Sequence, residues 1–422
     1  MKKHILIIGA GTAGTMMANK LSHELKHEPW HITIVDRDNT HYYQPGFLFI
    51  PFGIYKPEEV IKPRTEFLPD DVRFVMDEVE LIDGEQNLVR LRGGEVITYD
   101  VLIVATGVDI APLDTPGLKG ELWHKDIFEF YTYDGAVRLA AKLHDWKGGT
   151  LVINLAETQI KCPVAPLEFS FLADAFFIEK GMRDKVKIKY VTPLSGAFTK
   201  PKATEMLNQL MEEKQIEVVP DFYLSHVDNA KKTIVSYDGK EVPFDLLVSI
   251  PVNKGDAVIE RSELGDEDGL NFVPTDKVSL QSRKFKNIFV IGDTTNVPAS
   301  KAGSVVHFEA EVLTENILSY LKGEPMKATF DGHANCFIET GFGKAALIDF
   351  NYTTEPLPGK FPLPVVGPMD LLKPTLTNHM GKLAFRWVYW HMLLTGKKLP
   401  VPNHMSMSGK IQDKKEEKLV NA

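Results

Sequence analysis

The chain has 422 residues, 44% hydrophobic and 25% charged, which is enough length for two or three domains with ample core and leaves disorder to the tail. A net charge of −9 gives no reason to expect a nucleic-acid partner, and no run of 18 apolar residues is present to cross a membrane. The chain starts Met1-Lys2-Lys3-His4 and enters a strand at once, without the apolar region of a signal peptide, so a cytoplasmic protein is expected. In that reducing compartment a structural disulfide is disfavoured. The only two cysteines, Cys162 and Cys336, are therefore either a redox pair or two inert buried thiols.

Residues 5–8 form an apolar strand, and Gly9-x-Gly11-x-x-Gly14, with Ala13 inside it, follows immediately. Residues 15–25 read as a helix and residues 32–35 as a second strand, which ends at Asp36 and Arg37. A glycine turn between strand and helix, with an acid 22 residues after the last glycine, is the dinucleotide fingerprint. The first two glycines admit a pyrophosphate to the backbone N–H groups, Gly14 lets helix and sheet pack closely, and the helix N-terminus adds positive potential. Asp36 suits ribose hydroxyls and argues against a 2′-phosphate.

Two later strands, 99–104 and 287–291, run into Ala105-Thr106-Gly107 and Gly292-Asp293. These turns resemble those of the disulfide-reductase-like flavoproteins, whose first nucleotide domain binds FAD. The resemblance implies that Asp293 bonds the ribityl chain. A helix over 302–321 follows. With Lys301 beside it, its N-terminus suits the pyrimidine side of a reduced flavin, unless Lys301 is a solvated surface lysine.

In the middle of the chain, Gly148-Gly149-Thr150 precedes an apolar strand over 151–155. An NADH-using relative would carry a second glycine turn after that strand. This chain has Ala156-Glu157-Thr158-Gln159-Ile160-Lys161-Cys162-Pro163, with no glycine to admit a pyrophosphate. Cys162 then opens a helical stretch over 164–179, where a helix N-terminus is expected to lower its thiol pKa. Strands over 186–191, 216–219 and 245–250 complete an α/β layer.

Cys336 lies in Asn335-Cys336-Phe337-Ile338-Glu339-Thr340-Gly341. Together with Lys161-Cys162-Pro163-Val164-Ala165-Pro166 and Tyr43-Gln44-Pro45-Gly46, it resembles the sulfide:quinone oxidoreductases over most of the chain. That family usually has a third cysteine in the segment matched by 128–133, and several members attach FAD covalently through it. Tyr131 holds the position here, which implies non-covalent FAD and a two-cysteine enzyme.

Between Leu371 and Lys410 there are six basic residues and no acidic one. Within this stretch Met380, Leu383, Trp387, Trp390 and Leu394 recur at helical spacing, the pattern of an interfacial amphipathic helix. Docking of the same helix on the protein's own core or on a second subunit is the alternative. The proline-rich stretch 356–374 reads as a flexible approach to it, and the residues from Ser408 as a solvated tail.

The predicted fold class is α/β. Two Rossmann-like dinucleotide-binding domains, the second without a nucleotide motif, precede a C-terminal membrane-associating region. The first would comprise residues 1–112 and 270–328, the second 113–269, and the C-terminal region 329–422. The resemblance implies oxidation of sulfide through Cys162 and Cys336, with Cys336 beside the flavin and Cys162 carrying sulfur to an acceptor. Electrons then pass to a membrane quinone, at a peripheral position on the cytoplasmic side, in a possible homo-oligomer. Glu168 is a candidate proton carrier or an exposed helix residue. Phe337, Phe342 and Phe385 are candidate quinone walls, with Lys382 or His379 as the polar tip. A type II NADH dehydrogenase, a sulfide dehydrogenase subunit serving a cytochrome, and a flavin-binding protein without turnover are the rival readings.

Overall fold

The computed structural model describes residues 3–266, 268–364 and 367–412. Its first sheet has five parallel strands in the order Ile288–Val290, Val101–Val104, Lys3–Ile8, Trp30–Asp36 and Val72–Met76. Both faces are covered, which explains the unbroken apolar run 5–8. Ile5 and Ile7 join Met16, Met17 and Leu313 in one core cluster, while Leu6 and Ile8 join Val89, Leu91 and Ile97 in another. Helices Thr12–Glu24 and Gly303–Leu321 lie on the first face. A small antiparallel sheet of Val79–Asp83, Leu88–Leu91 and Val96–Thr98 covers the second.

The second sheet is also parallel, in the order Ile127–Phe128, Leu246–Ile250, Gly149–Leu155, Val186–Val191 and Ile216–Val219. The two layers are joined by an antiparallel pair, Val108–Ile110 with Asn253–Gly255. Helix Ala165–Glu179 is apolar almost all round because it is covered on two sides. The second sheet lies on one side and strand Ala334–Gly341 on the other. That sandwich brings the Cys162 segment to the strand that carries Cys336.

The C-terminal sheet runs Ala334–Gly341, Lys344–Phe350, Met369–Leu371, Gly359–Phe361. Two of its strands come from the proline-rich stretch, which is thus part of the sheet and not a flexible approach. The tail also departs from expectation over 408–411. Lys410 Nζ is buried against the Asp349 carboxylate, which in turn lies 2.8 Å from His333 Nε2, and Ile411 N donates to Pro358 O at 2.8 Å. Beyond Gln412 the expected tail lies outside the described residues.

Helix Leu376–Val388 continues into a π-turn, Tyr389–Leu393, and the expected apolar stripe divides there. Met380 and Trp387 are 56% and 60% exposed, whereas Trp390 and Leu394 are buried. The wider turn rotates the later residues inward. Trp390 stacks on Phe67 at 5.1 Å, and Leu394 O accepts from Asn19 Nδ2 at 2.9 Å. Among the described residues no helix is long and apolar enough to cross a membrane.

Candidate functional site

The glycine turn is shaped by contact. A Cβ on Gly14 would lie 1.8 Å from Gly9 O, and one on Gly9, at φ +93°, would lie 2.4 Å from Ala105 O. Nothing stands within 4 Å of the equivalent point on Gly11. Gly11 caps the first helix without a side-chain bond, so the helix presents free N–H groups to that open space.

Asp36 accepts from Ala10 N at 2.6 Å and pairs with Arg64 at 3.2 Å. Burial raises its carboxyl pKa despite Arg64 and Ala10. Arg64, which no sequence motif singled out, also donates to Ala10 O. Arg37 stands at the surface, paired with Asp109. The Ala105-Thr106-Gly107 and Gly292-Asp293 turns meet through Thr106 and Thr294, whose hydroxyls are 3.1 Å apart. A Cβ on Gly292 would lie only 3.3 Å from that of Ala13.

A narrow cavity beside this turn is lined by Gly292, Asp293, Ser300, Lys301, Ala302 and Glu309. Burial raises the Asp293 carboxyl despite Lys301 and Lys161. Lys301 is not a solvated lysine: its ammonium donates to Asp293 O at 2.8 Å and Thr295 O at 2.7 Å and stands over the Phe272 ring. It holds the turn in shape. The open space at Gly11, the free helix N–H groups, Asp36 and the half-buried Asp293 fit the pyrophosphate, ribose and ribityl parts of FAD.

Cys162 is half-buried and Cys336 buried, and both are free thiols. Cys162 adopts a left-handed φ of +48°. Its N–H donates to Lys301 O at 2.6 Å, and its carbonyl accepts from Ala165 N and from the Tyr131 hydroxyl, at 2.9 and 3.0 Å. The expectation of a lowered thiol pKa is overturned. Burial pushes Cys162 well up, with Glu168 adding to it, and pushes Cys336 up to about 12. The helix begins only at Ala165, and desolvation outweighs its weak positive end. Glu168 raises and Lys382 lowers both thiols, and Cys336 adds to the rise at Cys162.

Glu168 is no exposed helix residue. It is 1% exposed, accepts from Glu339 N at 2.8 Å and holds the Lys382 ammonium in an ion pair. Burial raises its pKa even so, while Glu168 and Glu339 hold Lys382 above its ordinary value against burial. Lys382 also donates to Phe337 O at 3.2 Å, and His379 Nδ1 stands 3.0 Å from both oxygens of buried Glu339.

Phe337 packs against Gly381, where a Cβ would lie 3.0 Å from the ring. Phe385 stands 6.5 Å from Tyr389. Phe342 is apart, 52% exposed on the hairpin turn under Lys214. Sequence reasoning missed the Tyr389 hydroxyl, which lies 2.7 Å from both His41 Nε2 and Thr12 Oγ1 and ties the C-terminal segment to the glycine turn.

A dinucleotide cradle in the first layer, with one free thiol beside the second sheet and another on the C-terminal sheet, suits a flavoprotein of the disulfide-reductase kind. Residues 3–307 match the pyridine nucleotide-disulphide oxidoreductase family, and the chain belongs to it. Membership implies a flavin cofactor. The chain is 29% identical to a mitochondrial sulfide:quinone oxidoreductase of Dictyostelium discoideum, over 93% of this chain and 86% of that protein. It is 27% identical to the Mus musculus mitochondrial sulfide:quinone oxidoreductase over the same shares. Its fold is similar to the crystal structure of the Aquifex aeolicus sulfide:quinone oxidoreductase, with a TM-score of 0.79 at 21% identity over 94% of this chain and 92% of that one.

Proposed function

We propose that the protein is a sulfide:quinone oxidoreductase that works through Cys162, Cys336 and FAD. The observation that carries this reading is the packing of the helix that follows Cys162 against the strand that carries Cys336, tied by buried Glu168, which accepts from Glu339 N and pairs with Lys382. Two inert core thiols need no such pair beside them. The relatives named above agree, and the glycine-free 156–163 segment has no turn for a nicotinamide dinucleotide.

In the oxidised state Cys162 and Cys336 form a disulfide. Hydrosulfide attacks the Cys162 sulfur, the S–S bond breaks, Cys336 leaves as a thiolate, and Cys162 keeps the added sulfur as a persulfide. Cys162 is the more exposed of the two, which suits it to meet sulfide and to pass sulfur to an acceptor. Lys382 supplies positive charge to the leaving thiolate, and Glu168 takes up or returns the proton. Bound FAD supplies a two-electron acceptor between thiol and quinone. Gly9, Gly11, Ala13, Gly14 and Asp36 hold its adenosine and pyrophosphate half, and Ala105, Thr106, Gly107, Gly292 and Asp293 its ribityl half. With Tyr131 where a third thiol would stand, attachment is non-covalent. The expected boundary at 269 moves to about 252, because Val258, Ile259 and Leu264 share the core cluster of Leu6 and Ile8 and Asn253–Gly255 pairs with Val108–Ile110: the FAD unit takes these residues, the unit of Cys162 runs from 113 to 252, and the unit of Cys336 and the quinone begins at 329.

Anaerobic mixing separates this reading from an NADH dehydrogenase and from a flavin-binding protein without turnover. Sulfide is expected to bleach the flavin of the purified protein and NADH is not; bleaching by NADH alone overturns the assignment, and bleaching by neither points to a protein without turnover.

The exposed stripe Leu376, Met380 and Trp387, with Phe342 nearby and Lys373, Lys397 and Lys398 exposed on the same segment, is the membrane face in this reading. Phe337, Phe385 and Lys382 lie behind it as quinone contacts. Since Met380 and Trp387 touch solvent, a Met380→Glu/Trp387→Glu double variant should fold normally. It is expected to bind anionic vesicles roughly 100-fold more weakly, from the lost burial of two large apolar side chains. Unchanged sedimentation with vesicles would remove this face from the proposal.

A further inference from the structure

The sulfur chemistry above makes no use of Tyr131, although this side chain touches the Cys162 segment directly. Its hydroxyl donates to Cys162 O at 3.0 Å, and it is 5% exposed. The contact is not an incidental reach of a loose side chain, because the backbone that carries it is locked. The buried Glu129 carboxylate accepts from the N–H groups of Tyr131 and Thr132 and from the Thr132 hydroxyl. Thr132 in turn caps helix Tyr133–Asp145 by accepting from Gly135 N at 3.0 Å. Gly135 is the residue that makes room: a Cβ there would lie 1.8 Å from the Glu129 Oε1 atom. Phe130 stacks at 4.8 Å on Phe169 of the helix that follows Cys162, which ties the arm to that helix.

At the other end of the contact, Cys162 holds a conformation that a non-glycine residue adopts reluctantly, at φ +48°. Such a conformation persists only where its surroundings over-determine it. Two hydrogen bonds from outside its own segment do so here, Cys162 N to Lys301 O and the Tyr131 hydroxyl to Cys162 O. The first ties Cys162 to the turn that borders the FAD cradle, and the second to the arm just described.

We infer that Tyr131 is a positioning residue: its phenol clamps the Cys162 backbone in the left-handed conformation that keeps this thiol within reach of Cys336. Tyr131 has no redox chemistry of its own with sulfide, so the clamp is redox-silent. The inference rests on the thiol-pair reading above.

The test uses the full-length, FAD-loaded enzyme and the Tyr131→Phe variant, which keeps the buried ring and removes only the donor. Sulfide-dependent flavin bleaching is expected to slow roughly tenfold, the worth of one such hydrogen bond. Reoxidation of dithionite-reduced enzyme by a water-soluble quinone should be unchanged. Alkylation by iodoacetamide, read peptide by peptide, should speed up several-fold at Cys162 and stay constant at Cys336. Unchanged bleaching with unchanged labelling overturns the clamp, and so does equal acceleration at both cysteines, which marks general loosening. Glu129→Gln slackens the arm without touching the phenol. It should give the same selective pattern at smaller size, and an even response of the two cysteines there also overturns the inference. If sulfide bleaches neither the wild type nor the variant, the functional assignment fails while the labelling contrast still judges the clamp.

Discussion

Serine in place of either Cys162 or Cys336 is expected to leave a yellow, FAD-loaded protein that sulfide no longer bleaches. The loss should be on the order of 10³-fold or more, as when a nucleophile is removed from an enzyme whose groups act as a unit. Sulfur exchange needs both atoms, because the attacked sulfur requires a thiol leaving group and a hydroxyl is not one. The two losses should therefore be similar, and the double variant no worse than either single one. FAD retention is expected because neither side chain lies in the glycine turn or at Asp36, so absorbance of the bound flavin controls for folding. A single serine variant that keeps the full rate of sulfide-dependent bleaching removes the disulfide mechanism. The raised thiol values add a detail. Both cysteines resist ionisation, so in the reduced state alkylation should accelerate only well above neutral pH.

The second large effect is expected at Lys382. Its ammonium is the counter-ion of buried Glu168, with side-chain exposures of 12% and 1%. A Lys382→Met variant keeps most of the side-chain volume and strands the carboxylate, a change that costs about 3–5 kcal/mol in comparable buried pairs. The deficit should depend on pH with a definite sign. The folded protein already holds the Glu168 pKa above its ordinary 4.5, and loss of Lys382 raises it further. A carboxyl with a raised folded value binds its proton more tightly folded than unfolded. Its stability contribution is thus present below the unfolded value and is lost as pH rises through the folded one. Urea unfolding of Lys382→Met should accordingly fall further below wild type at pH 8 than at pH 5. Adding Glu168→Gln should recover part of the loss, since a neutral amide needs no counter-ion. A variant no less stable than one at exposed Lys373, with no pH dependence, would show that the pair carries no buried charge.

Much of the scaffold was legible because its signals are local. The strands over 186–191 and 216–219 stand where patterning placed them, since Val186, Ile188 and Tyr190 alternate with Lys187 and Lys189, and Ile216 with Glu217, at the two-residue period of a strand. The glycine turn was legible for a similar reason: the lack of a Cβ is demanded by atoms a few residues away, as at Gly14 against Gly9 O. The amphipathic helix was half legible. Its spacing assumes a constant 3.6-residue period, and the π-turn at Tyr389–Leu393 breaks that phase, so Trp390 and Leu394 turn into the core while Met380 and Trp387 stay outside.

The sequence by itself determined the α/β class, the dinucleotide cradle and the two cysteines as the residues to watch, because turns and strand periods depend on neighbours in the chain. Only the tertiary structure decided what surrounds the thiols. Glu168, Glu339 and Lys382 come from three segments more than 200 residues apart at the extremes, and no periodicity links them. Arg64 on Asp36 and Tyr131 on Cys162 are likewise products of packing. The electrostatics followed the same division. A helix start beside Cys162 is visible in the chain and suggests a low pKa, but burial is a property of the assembled fold, and its desolvation cost exceeds the field of a helix end.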